Sequence, residues 1–178
     1  MTPQDLKALI RAVPDFPKPG ILFRDVTTLI AHPQGFAATI AHLAQRAQAS
    51  GATLIAGMEA RGFIFGAAAA AHAGIGFVPV RKPGKLPVAT LGVDYDLEYG
   101  TDRLEIDPTV ITPGQPVAIV DDLVATGGTA LAATHLLRQA GAVVTHAFFV
   151  IDLCDLPGAQ RLRDAGVTVD ALVDFPGH

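Results

Sequence analysis

The stretch IVDDLVATGGTA, residues 119–130, places two aspartates directly after an apolar run and then sets a pair of glycines between threonines. The run VAIV at residues 117–120 predicts a buried strand, and the apolar spacing from Thr129 to Gln139, ended by Gly141, predicts a helix. A strand that passes through a short glycine turn into a helix is typical of α/β folds. This stretch therefore indicates the fold class and marks the sheet edge where a ligand is expected.

The same alternation of strand and helix continues along the chain. Apolar runs that predict strands lie at residues 53–57, 76–80, 117–121, 145–151 and 168–173. Helices are predicted from Pro3 onward with Leu6, Leu9, Ile10 and Val13 at helical spacing, after Pro33 with Phe36, Ile40 and Leu43 inward, and from residue 62 to about Ala73. We therefore expect one α/β domain over residues 1–178, a mostly parallel twisted sheet with helices on both faces.

Composition limits the class of protein. A chain of 178 residues that is 50% hydrophobic suits a single domain with a full core, and a formal net charge of -4 argues against a surface built to hold nucleic acid. The single cysteine, Cys154, excludes an internal disulfide, and the first residues, MTPQDLKALI, lack the features of a signal peptide. A cytoplasmic protein is the simplest interpretation.

One uncharged stretch, GFIFGAAAAAHAGIGFVPV at residues 62–80, is near the length of a transmembrane helix. It contains His72, the helix breakers Gly74 and Gly76, and Pro79 near its end. We interpret it as a buried helix followed by a short strand, and we expect no membrane span.

The turn at residues 125–129, called the cradle below, has the composition of an anion-binding site. In open α/β sheets ligands bind at the carboxyl ends of strands, where the start of a helix offers unpaired N–H groups. Gly127 and Gly128 let the backbone approach an anion closely, and the hydroxyls of Thr126 and Thr129 can add hydrogen bonds. A tight turn capped by Asp and Thr side chains is the alternative.

Two carboxylates next to the cradle narrow the choice of ligand. Asp121 and Asp122 would repel a phosphate unless they face something else, such as ribose hydroxyls or a divalent cation. The sequence therefore favours a sugar phosphate over a bare phosphate.

Residues 81–112 interrupt the alternation and are too many for an ordinary connection. Long insertions in compact domains are often lids or binding loops, so we predict a flexible lid at about residues 81–112. Arg81, Lys82 and Lys85 lie at its start with no acid among them. They form either an anion-binding group or a solvated basic turn.

Several motifs together resemble the type I phosphoribosyltransferases. VDDLVATGGT, residues 120–129, is similar to the phosphoribosyl pyrophosphate signature of that family. Five further stretches are similar to its adenine-specific branch: FPKPGILFRDVTTL (16–29), GMEARGFIFG (57–66), VRKPGKLP (80–87), DLEYGTDRLEI (96–106) and FPGH (175–178). These motifs stand in the order of the family and span nearly the whole chain.

The resemblance implies the Mg²⁺-dependent reaction of adenine with phosphoribosyl pyrophosphate, which gives AMP and pyrophosphate. It places the 5′-phosphate on the cradle, formed by Ala125, Thr126, Gly127, Gly128 and Thr129, and the ribose hydroxyls on Asp121 and Asp122. It assigns the cations around pyrophosphate to Arg61, Arg81, Lys82 and Lys85. The six histidines show no close metal-ligand pair, so Mg²⁺ is expected to arrive with the pyrophosphate.

The resemblance also implies a base pocket in an N-terminal arm, about residues 1–35. Phe23 would stack on adenine, while backbone groups of Leu22 and Arg24 would read the edge of the base. Stacking gives affinity with little selectivity, because every base has a π-face, so selectivity must come from hydrogen bonds that hypoxanthine would leave unpaired.

In the lid, Glu98 is the implied acid–base residue, which would exchange a proton with the base as its N9 attacks the sugar. Tyr99 would close over the ligand and exclude water. Thr101 departs from the family pattern, because many relatives have lysine there, and any phosphate contact of that lysine is absent.

Two other functions stay open. The first is a phosphoribosyltransferase for hypoxanthine or a pyrimidine, against which the GILFRD and DLEYG stretches speak. The second is a regulator that senses phosphoribosyl pyrophosphate while it binds nucleic acid or protein, against which the acidic charge balance speaks. The family further implies a homodimer.

Overall fold

The computed structural model describes residues 1–97 and 100–177. The first elements in chain order are α1 (Pro3–Ala8), β1 (Arg11–Pro14), β2 (Leu22–Asp25), α2 (Thr27–Ile30), α3 (Pro33–Ala49), β3 (Leu54–Met58), α4 (Arg61–Ala73) and β4 (Gly76–Val80). They are followed by β5 (Leu91–Asp96), β6 (Thr101–Ile106), a 3-10 turn (Pro108–Val110), β7 (Pro116–Val124), α5 (Gly128–Gln139), β8 (Val143–Leu153), α6 (Gly158–Asp164) and β9 (Thr168–Phe175).

A parallel sheet with the strand order β4-β3-β7-β8-β9 forms the centre of the described chain. Each of these strands lies on one of the apolar runs, so the predicted fold class is confirmed. Strand β7 is longer than predicted, because its ladder with β8 continues through the pairs Leu123–Ile151 and Val124–Asp152. The two aspartates therefore lie inside the last part of the strand, one turn before α5.

Each face of the sheet carries its own hydrophobic core. Successive residues of a strand point to opposite faces, so Ile119 packs on the side of α5 with Leu136, while Val120 packs on the side of α3 and α4 with Leu43 and Phe65. All five side chains are fully buried. A strand covered on both faces explains why the run at residues 117–120 is continuously apolar.

The segment at residues 81–112 contains regular structure that its composition did not predict. Strands β5 and β6 form an antiparallel hairpin, and the side chains of Leu104 and Ile106 are buried against the α5 side of the sheet. The far end of the hairpin reaches the cradle, because the carbonyl oxygen of Asp96 lies 3.7 Å from where a Cβ on Gly128 would be.

The prediction that Val13 continues the first helix is wrong. Helix α1 starts at Pro3, as predicted, and the structure adds a capping box, in which the Asp5 N–H donates to the Thr2 hydroxyl and the Asp5 carboxylate accepts from the Thr2 N–H. It ends at Ala8, and Val13 lies in β1 opposite Phe23 of β2. The residue before a proline is disfavoured in the α region, so Pro14 favours the extended backbone that Val13 adopts.

Candidate active site

Backbone N–H groups of the cradle are open where α5 begins. Gly127 is the N-cap of α5, and no described side chain caps the helix. Within residues 1–97 and 100–177, no acceptor meets the N–H of Thr126 or Gly127. A helix start with free donors favours a phosphate, through both hydrogen bonds and the positive end of the helix dipole. This geometry suits the predicted anion site.

Close packing explains why glycine stands at position 127. Its φ of 79° lies in the left-handed region, and a Cβ there would lie 2.7 Å from the Cα of Gly158 and 2.8 Å from the Gly158 carbonyl oxygen. The Gly158 N–H in turn donates to the carbonyl of Ala125 at 2.8 Å. The start of α6 is therefore part of the cradle wall. The sequence did not predict this contact, because no local pattern shows which later turn meets an earlier one.

Asp121 and Asp122 lie beside the cradle and meet the start of α4. Asp122 is buried, and its carboxylate forms an ion pair with Arg61. The Asp121 carboxylate accepts the Asp122 N–H at 2.8 Å, and its Oδ1 would lie 2.7 Å from a Cβ on Gly62. Glycine after Arg61 therefore leaves the space that the Asp121 carboxylate occupies.

Desolvation, together with the neighbouring charge of Asp122, raises the pKa of Asp121 well above 3.8. The Asp122 N–H and the charge of Arg61 favour the charged form of Asp121, but they do not offset its desolvation and the repulsion from Asp122. A ligand that brings hydroxyl donors to Asp121 would stabilise its charged form.

We expect the free energy of unfolding of Asp121→Asn to be higher than that of the wild type near neutral pH. Because the folded pKa of Asp121 is raised, its stabilising contribution is full below the unfolded value of 3.8 and is lost as the pH rises through the folded value. Asparagine keeps an acceptor for the Asp122 N–H and carries no charge. Urea unfolding at about pH 7 and about pH 3 measures the difference, and a gain of equal size at both pH values would contradict it.

A cavity of about 280 Å³ joins these groups at the carboxyl ends of β3 and β7. It is lined by residues 58–61 and 121–130. Ligands of open parallel sheets bind at this edge. The structure thus brings together the cradle, the two aspartates and Arg61, which the sequence predicted as members of one site.

Arg81 and Lys82, the first two residues of the predicted basic group, both contact the carboxylate of Glu59, which directly follows β3. The Nε atom of Arg81 lies 3.5 Å from Glu59, and its Nη1 donates to the carbonyl of Lys85 at 3.4 Å. The backbone N–H of Lys82 donates to the same Glu59 carboxylate at 2.5 Å. An anionic ligand of Arg81 must therefore compete with Glu59.

Lys82 is connected to the cradle through the hairpin. Its ammonium forms an ion pair with Asp102 and lies 3.2 Å from the hydroxyl of Tyr95, which is 3.5 Å from the hydroxyl of Thr129. Desolvation lowers the pKa of Lys82, but the hydrogen bonds and charge interactions with Asp102 and Tyr95 together raise it by more, so the net shift is upward and the ammonium stays charged. The sequence did not predict Asp102 and Tyr95 as site neighbours, since strand pairing rather than chain order brings them to Lys82.

The N-terminal arm places an aromatic pair next to Arg61. The ring of Phe23 meets the ring of Phe16 edge to face at 5.1 Å between centroids, and the Arg61 guanidinium carbon lies 5.8 Å from the Phe23 centroid. Phe16 is 51% exposed, so this side of the arm is open to solvent. Arg61 thus connects the predicted base side with Asp122 on the predicted ribose side.

Leu22 and Arg24 flank Phe23 on β2, opposite Pro14 and Ala12 of β1. The Arg24 guanidinium carbon lies 4.3 Å from the ring centroid of Phe175 in the terminal FPGH motif. This cation–π contact holds the Arg24 side chain on Phe175, apart from any role that its backbone has.

Glu98 and Tyr99 lie outside the described residues. Their neighbour Leu97 lines a second cavity of about 640 Å³ together with Thr126, Thr129 and Arg161. The hairpin segment next to Glu98 is therefore adjacent to the cradle.

Residues 1–97 and 100–177 contain neither a metal-binding cluster nor a membrane-spanning helix. No group of three or more His, Cys, Asp or Glu side chains there could hold a metal ion. No helix in the same part of the chain is both long and apolar enough to cross a membrane.

Comparison with known proteins identifies one family. Residues 26–169 match the phosphoribosyl transferase domain. An adenine phosphoribosyltransferase of Novosphingobium aromaticivorans is 72% identical over 178 residues, which cover 100% of both chains.

Solved structures agree in fold. The crystal structure of adenine phosphoribosyltransferase from Thermoanaerobacter pseudethanolicus is 46% identical, with a TM-score of 0.93 over 98% of this chain and 100% of that chain. The Saccharomyces cerevisiae enzyme, solved with adenine and an imino-altritol bisphosphate, is 39% identical, with a TM-score of 0.88 over 96% of this chain and 98% of that chain.

Proposed function

Because this chain belongs to the phosphoribosyl transferase domain family and, within it, to the adenine phosphoribosyltransferases, we propose a role in catalysis or substrate binding for each site residue described above. The chain acts in purine salvage: it transfers the phosphoribosyl group of 5-phosphoribosyl 1-pyrophosphate to adenine and gives AMP and pyrophosphate. The roles of its individual residues are our proposal.

The observation that carries the proposal is the cavity that joins the cradle to Asp121, Asp122 and Arg61. The 5′-phosphate lies on the open N–H groups of the cradle, and the two carboxylates accept hydrogen bonds from the ribose hydroxyls. Arg61, which lies between Asp122 and the Phe23 ring, then faces the junction of the sugar and the base.

The chemistry is a displacement at the anomeric carbon of the sugar. The bond from that carbon to the pyrophosphate oxygen breaks, the bond to adenine N9 forms, and the base loses its N9 proton. The protein holds the reactants in line and stabilises the positive charge on the sugar and the negative charge on the leaving group, so no covalent intermediate with the protein is needed.

Pyrophosphate meets the cations at the lid base and Arg61. Without substrate, Arg81 pairs with Glu59 and Lys82 pairs with Asp102. When the substrate binds, both cations contact the pyrophosphate instead, so their positive charge is compensated in both states. Lys85 adds a third positive charge beside them. Glu98 takes up the adenine proton, and Tyr99 excludes water.

Mg²⁺ fits this site as a companion of the substrate. This ion usually binds one or two carboxylates together with substrate phosphates and keeps several waters. The cavity is lined by the carboxylates of Asp121, Asp122 and Glu59, of which one or two would hold the ion together with the substrate phosphates; among the described residues they form no three-carboxylate metal site. When bound, Mg²⁺ would neutralise charge on the departing pyrophosphate.

AMP formation from adenine and phosphoribosyl pyrophosphate in Mg²⁺ buffer tests the function. Addition of EDTA in excess should stop AMP formation, and added Mg²⁺ should restore it. AMP formation that continues unchanged in EDTA would contradict the metal requirement, and no AMP in Mg²⁺ buffer would contradict the activity itself.

The base pocket gives a sharper prediction. Phe23→Ala should raise the KM for adenine by about 5- to 150-fold, since base stacking on an aromatic ring contributes roughly 1–3 kcal/mol. The KM for phosphoribosyl pyrophosphate should change less, because the Phe23 ring does not line the cavity that holds the cradle and the two aspartates, and its ring centroid lies 5.8 Å from the Arg61 guanidinium carbon. Steady-state kinetics with each substrate varied in turn makes the measurement, and equal changes in both KM values would contradict a base-stacking role.

We further propose a cytoplasmic homodimer. The family supports the dimer, and the exposed apolar side chains of Phe16 and Ile21 give the arm a surface suited to a partner copy. Light scattering on the purified chain at micromolar concentration tests the dimer, which a monomer mass would contradict.

A further inference from the structure

Two successive carbonyl groups of the cradle are held by α6. The Gly158 N–H donates to the carbonyl of Ala125 at 2.8 Å, and Nη1 of Arg161 donates to the carbonyl of Thr126 at 2.8 Å. The first bond comes from the backbone and the second from a side chain that is otherwise exposed.

These two bonds fix the direction of the cradle donors. Both peptide units are trans, and in a planar trans unit the C=O and the N–H point in opposite directions. With the carbonyls of Ala125 and Thr126 turned toward α6, the N–H groups of Thr126 and Gly127 are turned away from it. Among the described residues these two N–H groups have no acceptor, so they are available to a ligand.

Donation to a carbonyl also strengthens the N–H of the same peptide unit. Hydrogen bonds in a chain polarise one another, and the donor here is a charged guanidinium. Arg161 therefore makes the N–H of Gly127 both better aimed and a stronger donor. It does so from the opposite side of the loop, where it leaves the face of the anion free.

We propose that Arg161 is a positioning residue for the 5′-phosphate, acting through the carbonyl of Thr126. The inference rests on the proposed function, because it takes the cradle as the phosphate site. Arg161 does not line the cavity that holds Asp121, Asp122 and Arg61; it lines the second cavity, next to Thr126 and Thr129.

Arg163 offers a matched control. It lies two residues further along the same helix and is also exposed. Desolvation raises the pKa of Asp152, and the charge of Arg163 opposes that shift, so Arg163 acts on Asp152 rather than on the cradle. Arg161→Met and Arg163→Met remove the same charge and keep a side chain of similar length. Only the first removes a donor to the cradle.

The experiment compares binding of AMP and of adenosine, which differ by the 5′-phosphate. Calorimetry on the full chain should show that Arg161→Met weakens AMP binding about tenfold, the effect of losing much of one hydrogen bond to a charged group, while adenosine binding stays the same. Arg163→Met should leave both affinities within about twofold of the wild type. In kinetics, Arg161→Met should raise the KM for phosphoribosyl pyrophosphate and leave the KM for adenine unchanged.

A third variant, Thr129→Val, separates the failure of this proposal from the failure of the proposed function. If Thr129→Val weakens AMP binding and Arg161→Met does not, the cradle binds phosphate and the role of Arg161 is wrong. If neither variant changes the difference between AMP and adenosine, the cradle is not the phosphate site. Equal losses in Arg161→Met and Arg163→Met, or a loss that disappears at about 0.5 M salt, would assign the effect to long-range charge and overturn the proposal.

Discussion

Gly127→Ala should lower kcat/KM for phosphoribosyl pyrophosphate by about 100-fold or more, since displacement of binding groups by about 1 Å can cost that much. A side chain at this position has two problems at once: the φ of 79° is unfavourable for an L-residue, and its Cβ would lie 2.7 Å from the Cα of Gly158. The clashing atoms belong to backbone, not to a flexible side chain that could move aside. The loop must shift, and with it the N–H groups that face the 5′-phosphate.

Gly74→Ala is the matched control for this variant. Gly74 ends α4 with a φ of 71°, and a Cβ there would have nothing within 4 Å. It therefore carries the same backbone strain, roughly 1–2 kcal/mol, without any contact to the site. Thermal unfolding should show a loss of stability in both variants, and kinetics should show a loss of activity in Gly127→Ala alone. Comparable kcat/KM values for the two variants would contradict the role of the cradle.

Glu98→Gln should lower kcat by about 10²- to 10⁴-fold, the usual contribution of a positioned acid–base group. Glutamine keeps the size of the side chain and cannot take up the adenine proton. The KM for phosphoribosyl pyrophosphate should stay near the wild-type value, since Glu98 is proposed to face the base. The described neighbour Leu97 lines a cavity together with Thr126 and Thr129.

Asp94→Asn controls for a general effect of charge on the hairpin. Asp94 lies on β5 and pairs with Arg103 on β6 at 3.0 Å, on the exposed part of the hairpin. Its substitution should change kcat by less than about twofold, because an exposed ion pair contributes little. A Glu98→Gln variant that turns over as fast as Asp94→Asn would exclude Glu98 as the proton acceptor.

The sequence was sufficient for the central sheet and for the residues grouped around its edge. Continuous apolar runs mark buried parallel strands, and the carboxyl ends of such strands must meet at one edge. The cradle and the aspartates could therefore be placed together from the amino-acid pattern alone. A glycine at position 127 was predicted to allow close approach of an anion, but the structure gives a different requirement for it, a left-handed φ of 79° and close contact with Gly158.

The pairings inside the site were not predictable in the same way. Glu59 meets Arg81 and Lys82 because β3 pairs with β4, and Asp102 meets Lys82 from the hairpin, 20 positions further along the chain. No acid lies among the three basic residues in the sequence, and the carboxylate partners of Arg81 and Lys82 come from distant positions of the chain. The hydrogen bond from Arg161 of α6 to the Thr126 carbonyl could not be predicted for the same reason, since the two residues lie 35 positions apart in the chain.

The hairpin of β5 and β6 shows how local signals compete. Residues 81–112 were predicted as a flexible lid and contain glycines, prolines and mixed charges, yet alternate residues of β6, Leu104 and Ile106, are buried against the sheet. Burial of this apolar face stabilises the hairpin more than its turn-forming composition opposes it. The role of the segment as a lid stays a prediction.

The identity of the base tests the central claim most directly. Release of pyrophosphate from phosphoribosyl pyrophosphate and Mg²⁺ should be measured with adenine, hypoxanthine, guanine and uracil supplied in turn to the wild-type chain. We predict turnover with adenine and little or none with the other three bases, because their edges would leave hydrogen-bonding groups of the pocket unpaired. Comparable turnover with hypoxanthine, guanine or uracil would contradict the account of the base pocket.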